Sequence, residues 1–358
     1  MSNSKAPQYV PILKSKRGEF GALRELASNT RHCLTPLIDV VRMPIDKRDQ
    51  PIDGHLDKIA ENIRDSWGMG RPIFYDVKDL PLDTRTSTGE HPLVYLGERL
   101  IANEIEAIPT IGLDRDDYYI QATHRMCLVV KSVLLRLEVD DITLPNELSV
   151  NIQALLNEIE VQPSATHILI DLGSIRDNDA NATAETVLGM LRSLESIQEY
   201  ASVVVAGSSM PQGLSELVHA DTTALLPRNE WDIWQLLQAM PSIPRNLGYG
   251  DYGVVHPDML DLDPRRITLG AAIRYTTNND VLVIRGRAIK SHPDGFGQFY
   301  TLAETLVDLP DYRGSSFSWG DSRIYQCAQR QCGTGNLETW VKVGTNHHLT
   351  HVIDQLGL

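Results

Sequence analysis

The chain has 358 residues, 42% hydrophobic and 22% charged, a globular composition with length enough for a large core in one or two domains. Its net charge of -14 and pI near 5.2 set the body against phosphate backbones, so non-specific nucleic-acid binding is not expected. Four cysteines without a CxxC pair exclude a disulfide framework and a zinc signature, and no run reaches the roughly 20 apolar residues of a membrane span.

The opening segment MSNSKAPQYV lacks the apolar core of a signal peptide, and reduced thiols fit a cytoplasmic protein, which is the expectation here. Charge is uneven. Residues 245–358 carry 11 basic and 12 acidic side chains, whereas residues 1–244 carry 22 and 35. An anionic partner is therefore expected at the C-terminal part or in a local pocket.

The first unit, Tyr9 to Val41, reads as an apolar run, a basic turn, a short amphipathic helix and a second apolar run. The same grammar continues. Val-, Ile- and Leu-rich runs recur at 9–13, 35–41, 72–77, 107–113, 132–139, 166–172, 202–207 and 222–226. Near-continuous apolarity predicts strands buried on both faces, as in a parallel sheet clad by helices. Ile152, Leu155, Leu156 and Ile159 form one helical stripe, and Val187, Leu188, Leu191 and Leu194 another. Segments 91–106 and 116–130 are also helix-compatible. Helical crossovers of this kind are what parallel pairing requires.

About eight such units at spacings of about 25–35 residues fit a (β/α)8 barrel. A doubly wound open sheet is the alternative, but no Gly-rich phosphate turn follows the first strand. After Pro241 the grammar changes. Pro244 and Gly248–Gly253 (GYGDYG) mark a boundary or an ordered loop. The runs flanking Thr277-Asn278-Asn279-Asp280 predict a β-hairpin over 271–287. Segments 298–307 and 322–331 are helical in pattern, and 348–356 forms a final helix. The expected organisation is a barrel over 1–244 and an α+β extension over 245–358.

YVPILKSKRGEFGALREL, TPLIDV, GYGDYG, IRYTTNNDVLVIRGR, FSWGD and GTNHHLTHVI together resemble the phage-related beta protein family over nearly the whole chain. The resemblance implies a protein of prophages and mobile elements, with neighbours in antiviral-defence modules and a partner drawn from the same gene module. It supplies no catalytic mechanism and no cofactor.

In a barrel of this kind, groups at the C-terminal ends of strands gather at one mouth. Those ends carry Lys14 and Lys16, Asp39, Asp76, Thr110, Arg136, Asp171, Ser208 and Arg228. Asp39, Asp76 and Asp171 each directly follow an apolar run, and are the candidates for acid–base work or for oxygen ligation of a divalent cation. Lys14, Lys16, Arg136 and Arg228 suit a phosphate-containing small ligand. The competing reading is that these residues are caps and inward structural pairs, since loops are polar everywhere.

Lys14-Ser15-Lys16-Arg17-Gly18-Glu19 places three cations before a helix start, which suits an anion or simply a solvated turn. In GYGDYG, Asp251 and Tyr252 are candidate ligand contacts, against the alternative of a tight interdomain turn. In the C-terminal part, Arg285, Trp319, His347 and His348 are candidates for holding a base or a phosphate. His347 and His351 share a helical face, but no HExxH and no third ligand accompany them, so no metal is assigned. The alternative for His347 and His348 is capping of the last helix together with hydrogen bonds to the hairpin. No GxSxG elbow, Walker A, kinase set or Rossmann fingerprint occurs.

Overall fold

The structure is a computed structural model and describes residues 7–142, 145–240, 246–258 and 269–358. Eight parallel strands close into a barrel. Seven come from the predicted apolar runs: β1 (Tyr9–Lys14), β2 (Leu37–Asp39), β3 (Pro72–Asp76), β4 (Glu106–Ile111), β5 (Val133–Leu137), β6 (Thr166–Ser174) and β7 (Ser202–Ser208). The helices that follow them are α1 (Arg17–Arg24) with a single turn α2 (Ser28–Arg31), then α3 (Asp53–Trp67), α4 (Pro92–Ala102), α5 (Asp117–Val130), α6 (Val139–Ile142), α7 (Pro145–Glu158) and α8 (Ala180–Ser193). Asp116 caps α5 through the Tyr119 amide at 2.8 Å, and Asp179 caps α8 through that of Ala182 at 2.8 Å.

The eighth strand departs from the sequence reading. Thr222–Pro227 (β8) is a strand, but it precedes α9 (Asn229–Gln238) and leaves the barrel. It pairs antiparallel with β11 (Asp280–Ala288), which pairs in turn with β10 (Gly270–Thr276), giving a three-stranded sheet. The barrel is closed instead by β9 (Gly248–Asp251), which pairs in parallel with both β7 and β1. The boundary drawn at residue 244 is therefore corrected. The barrel takes a strand from beyond it, and the extension takes one from before it.

Packing explains the exchange. A Cβ at Gly250 would lie 2.7 Å from the Ala206 Cβ and 2.9 Å from the Val10 carbonyl oxygen, and one at Gly248 2.9 Å from Val204 Cγ2. The barrel closes only around a strand without side chains at its inward positions. β8 buries only Leu226 and half-buries Ala224 on one face, leaving the other face exposed, the profile of a sheet with one wet side.

The remaining helices, α10 (Gln298–Val307), α11 (Trp319–Ala328) and α12 (Leu337–Leu356), pack on the hairpin to form a second core around Ile273, Tyr275, Phe299 and Trp340. α12 is twenty residues long, far beyond the expected nine, and Asn336 and Thr339 close a capping box at its start. Leu349, Val352 and Ile353 of α12 join the main barrel-and-helix core, so the extension is fused to the barrel.

Candidate functional site

Strand alternation aims every second residue into the barrel. Val10, Ile12, Leu37, Phe74, Leu134, Leu169, Val204 and Ala206 fill its middle. One pleat further toward the C-terminal ends, the inward positions turn ionic: Lys14 on β1, Asp39 on β2, Asp76 on β3, Arg136 on β5 and Asp171 on β6. None is more than 3% exposed.

Arg136 organises this layer. Its Nη1 donates to Asp39 Oδ1 at 2.8 Å and to Asp76 Oδ2 at 2.9 Å. Its Nε donates to Asp171 Oδ2 at 2.9 Å, and its Nη2 donates to the Tyr252 hydroxyl at 2.8 Å. The Tyr252 hydroxyl donates in turn to Asp171 at 2.6 Å. Lys14 Nζ holds Asp39 at 2.9 Å and Asp79 at 3.3 Å, and the Tyr119 hydroxyl donates to Asp76 at 3.0 Å.

Burial alone would push the Asp39 carboxyl up, but the Arg136 guanidinium and the Lys14 ammonium outweigh it and hold it well below the usual carboxylate range. Asp171 is lowered too, with burial opposed chiefly by Arg136. Burial opposes the charge on Arg136, and Asp39, Tyr252, Asp171 and Asp76 more than restore it. The layer is thus a set of permanent charges whose polar atoms already hold one another. Among the described residues, no group of three or more His, Cys, Asp or Glu is placed to hold a metal ion.

Above this layer lies a cavity of about 1780 Å³, with Arg136, Asp171, Tyr252 and Lys14 in its floor. Its lining carries nine lysines and arginines against eight carboxylates, a reversal of the 33 to 47 balance of the whole chain. Lys16, Lys47 and Lys58 line the side next to β1 and β2, and their side chains make no hydrogen bond or ion pair among the described residues. Lys16 is exposed in the cavity yet flanked by protein. That partial desolvation lowers its pKa, with Glu19 opposing and Lys14 reinforcing. His55 lies beside Lys47 and Lys58. Burial lowers its pKa first, its bond to the Val41 carbonyl at 2.9 Å opposes, and the two lysines lower it further. Across the mouth, Glu138 pairs with Lys78, and Asp140 sits in the turn beyond it.

The structure separates the remaining candidates from this mouth. Arg228 is fully buried beneath the extension. Its Nη1 donates to the Thr277 carbonyl at 3.1 Å and to Gln355 Oε1 at 2.9 Å, and its Nη2 to the Tyr249 hydroxyl at 3.2 Å. Arg228 cannot hold an anion at the mouth, because it immediately follows β8, which is not a barrel strand. Asp251 points outward from β9. It accepts from the Tyr9 hydroxyl at 3.1 Å and from His348 Nε2 at 2.9 Å. Burial would raise its pKa, but His348 lowers it below the ordinary value.

His348 Nδ1 meets Thr276 Oγ1 at 2.8 Å, and His347 bridges Asp321 at 2.8 Å and the Thr276 carbonyl at 2.9 Å. Both histidines thus bond the hairpin, but neither caps α12, because they stand in its middle and Asn336 is the cap. The pKa of His351 is lowered to about 2, by burial first and then by the neighbouring His347, Arg228 and His348. Trp319 stacks with the Lys342 ammonium at 4.1 Å, and Arg285 donates to the Val218 carbonyl. Arg285 pairs with Ala272, two residues from Arg274, so the two arginines are diagonal neighbours. None of these residues forms a common ligand surface with the mouth.

Sequence reading missed Lys47, Lys58, His55, Tyr119 and Arg115. They lie in loops and helices, and nothing in their local sequence distinguishes them from solvated surface residues. Arg115 stands 3.7 Å from Asp76, while its Nε and Nη2 and the Thr110 Oγ1 are buried without hydrogen-bond partners.

The topology and this ionic mouth define a closed parallel (β/α)8 barrel with an α+β extension interwoven with it. A likeness to a solved triosephosphate isomerase from Bartonella henselae covers 68% of this chain and 91% of that one, at 11% identity and a TM-score of 0.35. No curated protein matches the chain. The Beta protein family model matches residues 9–354, and the chain belongs to that family. No helix among the described residues is long and apolar enough to cross a membrane.

Proposed function

We propose that this chain is a recognition barrel of a phage, mobile-element or antiviral-defence module, which engages an anionic ligand or a protein partner through the mouth and the adjoining extension. The observation that carries this reading is the division of labour at the mouth. The carboxylates of the floor are consumed in bonds to Arg136, Lys14 and tyrosines, while the ammonium groups of Lys16, Lys47 and Lys58 above them have no ion-pair or hydrogen-bond partner among the described residues.

The alternative is an enzyme acting on a phosphoester or nucleotide with Asp39, Asp76 and Asp171 as acid, base or cation ligands. It fits the geometry less well. Asp39 and Asp171, held below their usual pKa, are poor proton donors near neutral pH, and the bonds that occupy the oxygens of all three carboxylates make them poor bases. Arg136 also stands where a cation would need to sit. Family membership supports the phage or defence setting through the resemblance described above.

The test is affinity capture of the tagged chain from its parent cell, followed by native mass spectrometry. A defined partner or a bound anionic mass, lost in a Lys16→Ala/Lys58→Ala variant, is the expected result. A bare monomer in both forms contradicts the proposal.

A further inference from the structure

Three arginines share one face of the small sheet. Ala271, Ile273 and Tyr275 of β10 and Leu282 and Ile284 of β11 turn into the core of the extension. By alternation Arg274, Arg285 and Arg287 turn to the opposite face, where Val281 and Val283 pack with Met210, Val218 and Leu226. Arg274 pairs with Val283 and Ala272 with Arg285, so the two arginines are diagonal neighbours, roughly 7–8 Å apart at their origins and within reach of a common point. Neither lines the mouth cavity.

The three differ in what holds them. Arg287 is paired with Asp221. Arg285 donates its Nη1 to the Val218 carbonyl and has no carboxylate partner among the described residues. Arg274 is half-buried, and its Nε is sealed from water without a hydrogen-bond partner. Its two terminal nitrogens are not sealed, and among the described residues no hydrogen bond or ion pair holds them. Burial lowers its pKa, and no neighbouring charge opposes that shift. Arg136, by contrast, sits among three aspartates. A partly desolvated guanidinium without a counter-charge is unfavourable, and a like charge beside it makes it more so.

We propose that Arg274 and Arg285 form a second anion site, separate from the mouth, which takes a phosphate dianion, either inorganic phosphate or the phosphate end of a small monoester. The open end of the Arg274 guanidinium offers a planar fork to two oxygens of a tetrahedral anion, and Arg285 reaches it from the next strand. Two cations without carboxylates match the charge of nearly two that a phosphate monoester carries. A diester, with a single charge, leaves one of them unbalanced, and the net charge of -14 repels a nucleic-acid backbone.

The experiment is thermal melting of the full chain, dialysed free of phosphate, in sodium phosphate and in sodium chloride of equal ionic strength, at about pH 8 where phosphate is chiefly a dianion. The Lys16→Ala/Lys58→Ala background removes any contribution of the mouth. Phosphate raises the melting temperature in that background, and Arg274→Met raises the phosphate concentration for half of the effect by at least about tenfold, the scale of one charge-assisted hydrogen bond. Dimethyl phosphate, a diester, acts at least about tenfold more weakly than phosphate. In chloride alone Arg274→Met melts at or above its parent, because it removes a charge that no carboxylate compensates. Arg285→Lys, which keeps the charge and a donor for the Val218 carbonyl but loses the fork, weakens the phosphate effect as well and carries the test should Arg274→Met fail to fold. A phosphate effect that is absent in the lysine-free background, or equal with and without these arginines, overturns the second site and leaves the reading of the mouth standing. A lower melting temperature of Arg274→Met in chloride overturns the uncompensated charge, and equal action of dimethyl phosphate overturns the dianion.

Discussion

Replacing Arg136 with methionine probes the ionic floor directly. The side chain is fully buried and joins three aspartates and a tyrosine. Apart from the partly exposed Asp79 and Glu138 at its edge, the buried side chains of the layer balance in charge, with Arg136, Lys14 and Arg115 set against Asp39, Asp76 and Asp171. Methionine fills much of the volume but leaves one buried negative charge uncompensated. Removing one member of a buried ionic set costs about 3–5 kcal/mol, a large share of the roughly 5–15 kcal/mol that holds a typical native fold. At roughly 2 °C per kcal/mol for a large chain, the melting temperature falls by about 6–10 °C at neutral pH.

The pH profile gives a second readout with opposite signs in the two proteins. Asp39 and Asp171 of the parent chain have folded-state pKa values below their unfolded ones. Their contribution is present above the unfolded value near pH 4 and is lost as pH falls through the folded values. In Arg136→Met, an aspartate stripped of its counter-charge has a raised pKa. The deficit relative to the parent chain therefore shrinks as pH is lowered from about 7 to about 5. Calorimetric melts across that range measure both effects. An unchanged melting temperature, or a deficit constant with pH, would refute the claim that Arg136 compensates these carboxylates.

Three other outcomes follow from the same geometry. Truncation after residue 244 removes β9 and leaves β1 and β7 as open parallel edges. The product is expected to be unfolded or aggregated, as judged by circular dichroism and sedimentation, and a compact, cooperatively melting fragment would contradict the strand exchange. Gly250→Ala forces a methyl group against Ala206 and the Val10 carbonyl. It destabilises by about 1–3 kcal/mol in denaturant unfolding, whereas Gly253→Ala, in open space with φ +62°, is strained only through its backbone. His348→Ala leaves Asp251 buried without its main partner and lowers stability by about 2–4 kcal/mol in the same assay, while His32→Ala in an exposed turn is near neutral.

The residues also show why some of the architecture was legible and some was not. Runs such as VPILK, PIFYD and ILID are apolar on both faces, and that is the mark of a strand covered by helices. Seven barrel strands follow from it. Charges at their ends point inward by the same alternation, so Lys14, Asp39, Asp76, Arg136 and Asp171 were readable as one group. The eighth strand, Gly-Tyr-Gly-Asp, has too little hydrophobicity to register, because its inward positions must be empty for the ring to close.

Thr222–Pro227 has the length and β-branched content of a barrel strand, and only its antiparallel partner, distant in sequence, decides otherwise. Arg228 follows that same strand, and so it leaves the mouth with it. Lys47 and Lys58 reach the cavity from a loop and a helix face, and local pattern carries no trace of that convergence. Tyr252 stands out in the sequence only by its place in a glycine-rich loop. Its bonds to Arg136 and Asp171, across 116 and 81 residues of chain, arise from barrel closure alone.

The most direct measurement is anomalous diffraction from crystals of the full chain soaked separately in tungstate and in manganese. The account predicts tungstate against Lys16 and Lys58 on the β1–β2 wall, with Arg136 still seated among its aspartates and no manganese between them. Manganese held by Asp39, Asp76 and Asp171, with Arg136 displaced, would contradict it and restore those carboxylates to a catalytic role.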